Sequence, residues 1–247
     1  MTTMIPQARD GLALMAMIPE PGTAPLAGLA ANKHPPLIGR VGIIGANTIG
    51  ASLAMNLLNA DIPVTVFELD RSSLDAGITL ARSAYQHSVA HGALTAGQRD
   101  RRMSLLAGTV NLHHLKDCDL IIDAAFTDLV GKEKLFRRLD EFARPGAILM
   151  SCTRDLDVSQ LAGFTRRPGE VLGLRLPGAE QGSDAWEFVC GKRTTAETLA
   201  TATALSRALR EAAMASGACD GAALDRTGVA RHPEQGGGSW EIDRAEE

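Results

Sequence analysis

Gly45-Ala46-Asn47-Thr48-Ile49-Gly50 places two glycines around a short polar stretch, directly after an apolar run and directly before an amphipathic one. A turn of this kind can hold a phosphate. The first glycine lets the chain reverse after a strand, and the last lets the following helix pack closely on the sheet. The helix N-terminus then offers unpaired N–H groups and the positive end of its dipole. The full pattern is G-x-G-x-x-G, whose middle glycine clears room for a pyrophosphate. Asn47 stands at that position. Asparagine tolerates unusual backbone angles better than most residues, but its side chain adds bulk where the phosphates would lie. Glu68 ends the next apolar run. An acid about 20 residues beyond the first glycine accepts the ribose 2′-hydroxyl and repels a 2′-phosphate, so the pattern favours NAD over NADP. The alternative is a sheet of the same kind that binds no ligand.

These residues need strands and helices to position them. Short apolar runs predict strands over Arg40–Gly45, Pro63–Glu68, Leu120–Ala125, Ala147–Ser151, Val171–Leu174 and Trp186–Cys190. Helices are predicted over Ile49–Leu58, Ser72–Gly92, Ala96–Leu106, Gly131–Phe142 and Thr195–Ala215. The alternation predicts an α/β fold, a Rossmann-type doubly wound and mainly parallel sheet, with a helical excursion after the second strand. Residues 1–38, rich in Ala, Gly and Pro, read as a flexible leader, and 217–247 as a polar, Gly-rich flexible tail. The domain itself is expected over 39–216.

Composition narrows the function classes. Of 247 residues, 45% are hydrophobic and 22% charged, as in ordinary globular proteins. A net charge of -4 and 4% aromatics give neither the basic field nor the stacking surface of a nucleic-acid partner. Cys118, Cys152, Cys190 and Cys219 lie far apart in sequence, with no metal-ligand spacing, so neither a metal site nor a disulfide framework is expected. No apolar run approaches the roughly 20 residues of a membrane span. The run Gly11–Ile18 is short for a secretory signal. A cytoplasmic protein without membrane partners is the expectation.

Several longer stretches carry a more specific signal. Leu74 to Gly92, followed by Ala93-Leu94, resembles the long helical excursion and V-x-x-G-x-L stretch of the 3-hydroxyacyl-CoA dehydrogenases. Asp119-Leu120-Ile121-Ile122-Asp123-Ala124-Ala125-Phe126 resembles their D-L-V-I-E-A-V-F-E-D segment. Asp128-Leu129-Val130-Gly131-Lys132-Glu133-Lys134-Leu135-Phe136 is similar to D-L-x-x-K-x-x-L-F, and Pro145 to Ser151 to P-x-A-I-L-A-S. Arg167-Pro168 and Val171 to Leu174 sit where that family reads R-P-x-R-V-x-G-L. The resemblance runs from about Arg40 to Ala208.

The resemblance implies an NAD-binding fold that supports oxidation of a 3-hydroxyacyl-CoA. Its cofactor positions fall on Gly45, Ala46, Asn47, Thr48, Ile49, Gly50, Glu68, Ala124, Thr127, Lys132 and Cys152. Thr127 replaces a family glutamate, and Lys132 is retained; outside this motif a lone helix lysine would read as a solvated charge. The catalytic set departs further. In G-L-H-F-F-N-P the histidine takes the hydroxyl proton, but here Arg175 holds its place. A guanidinium does not release its proton at any working pH, so it cannot serve as a general base. The glutamate that orients the histidine survives as Glu187, and an Arg175–Glu187 ion pair is the expected arrangement. The S-N-T-S turn becomes Ser151-Cys152-Thr153-Arg154, with Arg154 in place of the substrate-binding serine. Cys152 has no histidine beside it in the motif to activate it as a nucleophile. After Ala208 the resemblance to the family's C-terminal helical domain is faint, and that domain is expected to be missing.

Three functions follow. A diverged NAD-binding protein, weak or inactive as a dehydrogenase, explains an intact domain beside an eroded catalytic set. An active NAD-dependent oxidoreductase on an acyl-CoA-like 3-hydroxy substrate is the second reading. A non-binding structural or interaction module is the third. A homodimer, or membership of a larger complex, is the expected assembly.

Overall fold

The computed structural model describes residues 37–125, 127–152, 157–175 and 186–215. The expected leader and tail therefore lie almost wholly outside the described residues. Seven strands form one sheet: β1 Val41–Ile44, β2 Val64–Phe67, β3 Leu106–Thr109, β4 Leu120–Asp123, β5 Ile148–Cys152, β6 Val171–Arg175 and β7 Glu187–Cys190. Among the described residues six α-helices accompany them, the last following β7: α1 Thr48–Asn59, α2 Arg71–Ala90, α3 Ala96–Ser104, α4 Leu129–Phe142, α5 Val158–Gly163 and α6 Ala196–Ala215. The strand order is β3-β2-β1-β4-β5-β6-β7. All neighbours run parallel except β6 and β7. The expected Rossmann-type, mainly parallel sheet is therefore present.

Strand alternation divides the core into two layers. Val41, Ile43, Leu120, Ile122 and Met150 pack with Leu53 and Leu57 of α1, Leu74 and Tyr85 of α2, and Leu205 of α6. Ile44, Ile121 and Leu149 pack instead with Leu135, Phe136 and Leu139 of α4 and Leu161 of α5. Successive side chains point to opposite faces, so an almost continuous apolar run fills both layers. This is why the runs are apolar throughout rather than alternating.

Two elements depart from expectation. The helix expected over Ala96–Leu106 ends at Ser104, and β3 follows after Leu105. Its sequence, Leu-Ala-Gly-Thr, lacks the β-branched run of a central strand, and two of its four residues are exposed at the sheet edge. The short helix α5 after β5 was also unforeseen. At the other end of the sheet, Asp140 of α4 is clamped by Arg166 at 2.8 Å and Arg167 at 3.0 Å. Burial alone would raise the Asp140 carboxyl, but the hydrogen bonds from Arg166 and Arg167 hold it below its usual range. No helix among the described residues is long and apolar enough to cross a membrane.

Candidate dinucleotide site

The strand order reverses at β1, which lies between β2 and β4. In an open α/β sheet the crevice beyond the strand C-termini at such a point is where ligands bind. The Gly45–Gly50 turn stands there. Gly45 adopts φ +102, which a side chain would strain. A Cβ on Gly50 would lie 1.9 Å from the Gly45 carbonyl oxygen, so only glycine permits the packing of α1 on the turn. The tight turn expected at Gly45 and the close helix packing expected at Gly50 are both present. Glu68, just past β2, reaches the same turn: its Oε1 accepts from Ala46 N at 3.1 Å, and its Oε2 from Leu69 N at 3.0 Å.

Asn47 is the N-cap of α1. Its Oδ1 accepts from Ile49 N at 2.9 Å and Gly50 N at 3.1 Å. Its Nδ2 donates to Ala124 O at 2.8 Å. Thr48 is exposed and opens the helix; Ala124 is buried directly after β4. The Asn47 side chain thus ties the first helix to the end of β4.

A second polar group lies behind this crevice. Asp123, the last residue of β4, is 0% exposed at its side chain, and Lys132 of α4 is 3% exposed. Lys132 Nζ donates to Asp123 Oδ2 at 2.5 Å and to Ala125 O at 2.9 Å. Ser151 Oγ donates to the same carboxylate oxygen at 2.9 Å, and Ala125 N donates to Oδ1 at 3.1 Å. Lys132 is therefore not the solvated charge that a lone helix lysine suggests. It is a buried cation that anchors the segment after β4. Asp123 and Ser151 escaped sequence reasoning. The signal was available: an acid ending an otherwise apolar strand, with a lysine on the next helix.

Thr127 Oγ1 is buried and makes no hydrogen bond among the described residues. Such an orphaned hydroxyl is uncommon in a finished interior. Cys152, at the end of β5, is half-buried. Burial, with Asp123 adding to it, pushes its thiol up to about 12. A neutral thiol is a poor nucleophile. Cys190 is exposed, whereas Cys118 is buried and its thiol is raised by burial to about 11. Iodoacetamide at pH 8 is expected to alkylate Cys190 well before Cys118 or Cys152 in the native protein. Peptide mapping would read this, and early labelling of Cys152 would contradict it.

Arg175 and Glu187 face each other across the antiparallel β6–β7 pair. Arg175 Nη1 donates to Glu187 Oε1 at 3.0 Å. The expected ion pair is present; with side chains 48% and 61% exposed it contributes about 0–1 kcal/mol. Arg154 lies outside the described residues. Among the described residues no cluster of His, Cys, Asp or Glu could hold a metal ion.

The frame fits a dinucleotide in its glycine turn, its acid beyond β2 and the unpartnered Thr127 hydroxyl. Together with the strand order it defines the Rossmann class of dinucleotide-binding domains. The profile described as "3-hydroxyacyl-CoA dehydrogenase, NAD binding domain" matches residues 40–218. The chain belongs to this family, whose cofactor is NAD. It is 31% identical over 190 residues to a peroxisomal bifunctional enzyme of Danio rerio, covering 77% of this chain and 26% of the relative. It is 35% identical over 138 residues to a 3-hydroxybutyryl-CoA dehydrogenase of Mycobacterium tuberculosis, covering 56% and 48%. Among solved structures, M. tuberculosis FadB2 superposes with a TM-score of 0.66 at 30% identity, covering 74% of this chain and 62% of that one. An Escherichia coli 3-hydroxybutyryl-CoA dehydrogenase gives 0.67 at 26% identity, covering 70% and 37%. The matches thus span about a quarter to a half of these curated relatives.

Proposed function

We propose that this chain binds NAD through the Gly45–Gly50 turn and Glu68, and is weak or inactive as a 3-hydroxyacyl-CoA dehydrogenase. The Arg175–Glu187 ion pair, at 3.0 Å, is the observation that carries this reading. At the position of the family's proton acceptor stands a guanidinium that holds its proton and is already paired. NAD supplies hydride acceptance when bound. Gly45, Gly50 and Glu68 would hold it, and Ala124 and Thr127 would border it. Lys132 acts from below, fixing the segment that carries those two residues. Loss of a general base typically costs 10²–10⁴-fold in rate.

Titration of the purified chain with NADH, followed by fluorescence, is expected to saturate. Oxidation of NADH with a short-chain 3-ketoacyl-CoA is expected to run at least about a hundredfold below a relative that keeps the histidine. Turnover at the relative's rate would refute the assignment. Turnover that also survives Arg175→Ala and Glu187→Ala would show that other residues carry the proton.

An acyl-CoA-like molecule is the small-molecule partner proposed for this chain, supported by the dehydrogenases among its relatives. Assembly as a homodimer or within a larger complex is supported by the multifunctional enzymes among them. The free thiols of Cys118, Cys152 and Cys190 support a reducing compartment, here the cytoplasm.

A further inference from the structure

Helix N-termini bind phosphate through N–H groups that lack an intrahelical partner. In this turn most of those groups are already engaged. Gly45 N donates to Phe67 O at 2.9 Å, and Ala46 N to Glu68 Oε1 at 3.1 Å. Ile49 N and Gly50 N both donate to Asn47 Oδ1. Only the N–H groups of Asn47 and Thr48 have no partner among the described residues. The Asn47 carboxamide is itself held from the far side, because Nδ2 donates to Ala124 O at 2.8 Å. It therefore spans the crevice from the start of α1 to the segment after β4, where the strand order reverses.

We propose that the Asn47 side chain is an internal competitor of the pyrophosphate: it occupies the helix donors, and a dinucleotide is bound only when Asn47 swings off them. The proposal rests on the reading that this site takes NAD. A middle glycine leaves such donors free, so the glycine-to-asparagine difference lowers affinity through lost donors as well as added bulk. Asn47 is thus an affinity-setting residue that acts on the cofactor site without contributing to proton transfer.

The test is calorimetric titration with NADH of the wild type, Asn47→Gly and Asn47→Asp. Glycine frees both donors and removes the bridge to Ala124. Two modest hydrogen bonds are then no longer broken on binding, so affinity is expected to rise roughly tenfold. Glycine as an N-cap costs only a few tenths of a kcal/mol, and a thermal melt reports whether the variant is folded. Aspartate keeps an acceptor for Ile49 N and Gly50 N but loses the donor to Ala124 O, against which it turns a carboxylate oxygen. Its negative charge repels the phosphates, so affinity is expected to fall roughly tenfold. Because its cap is intact, this variant gives a result even if the glycine variant does not fold.

A glycine variant that binds no tighter than a binding wild type overturns the proposal and leaves the NAD reading standing. So does an aspartate variant that binds as tightly as the wild type. Binding by Asn47→Gly alone supports the competitor and overturns NAD binding by the native chain. No binding by the wild type or the glycine variant overturns both.

Discussion

Lys132→Met is expected to destabilise the fold by about 3–5 kcal/mol, the cost of leaving a buried charge without its partner. The Asp123 side chain is 0% exposed, so no water replaces the lost ammonium. Ser151 Oγ and Ala125 N would still donate to the carboxylate, but neither carries a positive charge. Ala125 O would lose its bond from Lys132 as well. For a domain of this size each kcal/mol moves Tm by about 2–4 °C, so the melt should fall by roughly 6–20 °C. The double variant Asp123→Asn, Lys132→Met removes both charges at once. It is expected to recover a substantial part of the loss, because the penalty belongs to the unpaired carboxylate rather than to the missing bond. Thermal melting of the two variants beside the wild type measures this. A single variant that melts with the wild type, or a double variant that melts lower still, would mean that the pair is not the anchor described.

The same pair shows where the sequence was legible and where it was not. The central strands announced themselves because strands buried on both faces are apolar runs bounded by turn residues. β3 did not, since Leu-Ala-Gly-Thr at a sheet edge needs little hydrophobicity and follows a helix after one residue. Gly45, Gly50 and Glu68 could be placed because a turn and a strand end are local features. Arg175 and Glu187 could be paired because their spacing follows the family pattern, and the β6–β7 register sets them opposite. Asp123 and Lys132 were missed as a pair although both types stand out locally, an acid closing an apolar strand and a lysine on the next helix, because only the packing of α4 against β4 joins them. Asn47 was read as bulk at a glycine position. Asparagine directly before a helix is also among the best N-caps, and that alternative describes the contacts it makes.

Gly77→Ala is expected to destabilise the protein and weaken nucleotide binding together, although alanine is the better helix former by about 1 kcal/mol. Gly77 is buried in α2 where that helix crosses the cofactor turn. A Cβ there would lie 2.2 Å from Ala46 O and 2.5 Å from Ala46 Cβ. The atom it meets first is backbone, so no side-chain rotation relieves the contact. Ala46 has little room to retreat: it is 7% exposed, and its N–H is bound to Glu68. Either α2 moves outward or the turn moves inward. Overpacking of this kind costs typically about 1–3 kcal/mol, which exceeds the gain in helix propensity. Gly97→Ala in α3 is the internal control. A Cβ there meets nothing within 4 Å, so the propensity gain should appear alone, as a stabilisation of up to about 1 kcal/mol. Urea denaturation should therefore move the two midpoints in opposite directions. NADH affinity should fall only for Gly77→Ala, because only that residue supports Ala46 between Gly45 and Asn47. A Gly77→Ala protein as stable as the wild type would show that α2 does not hold the turn in place. The glycine turn would then owe its shape to α1, β1 and its bonds to Phe67 and Glu68 at the end of β2.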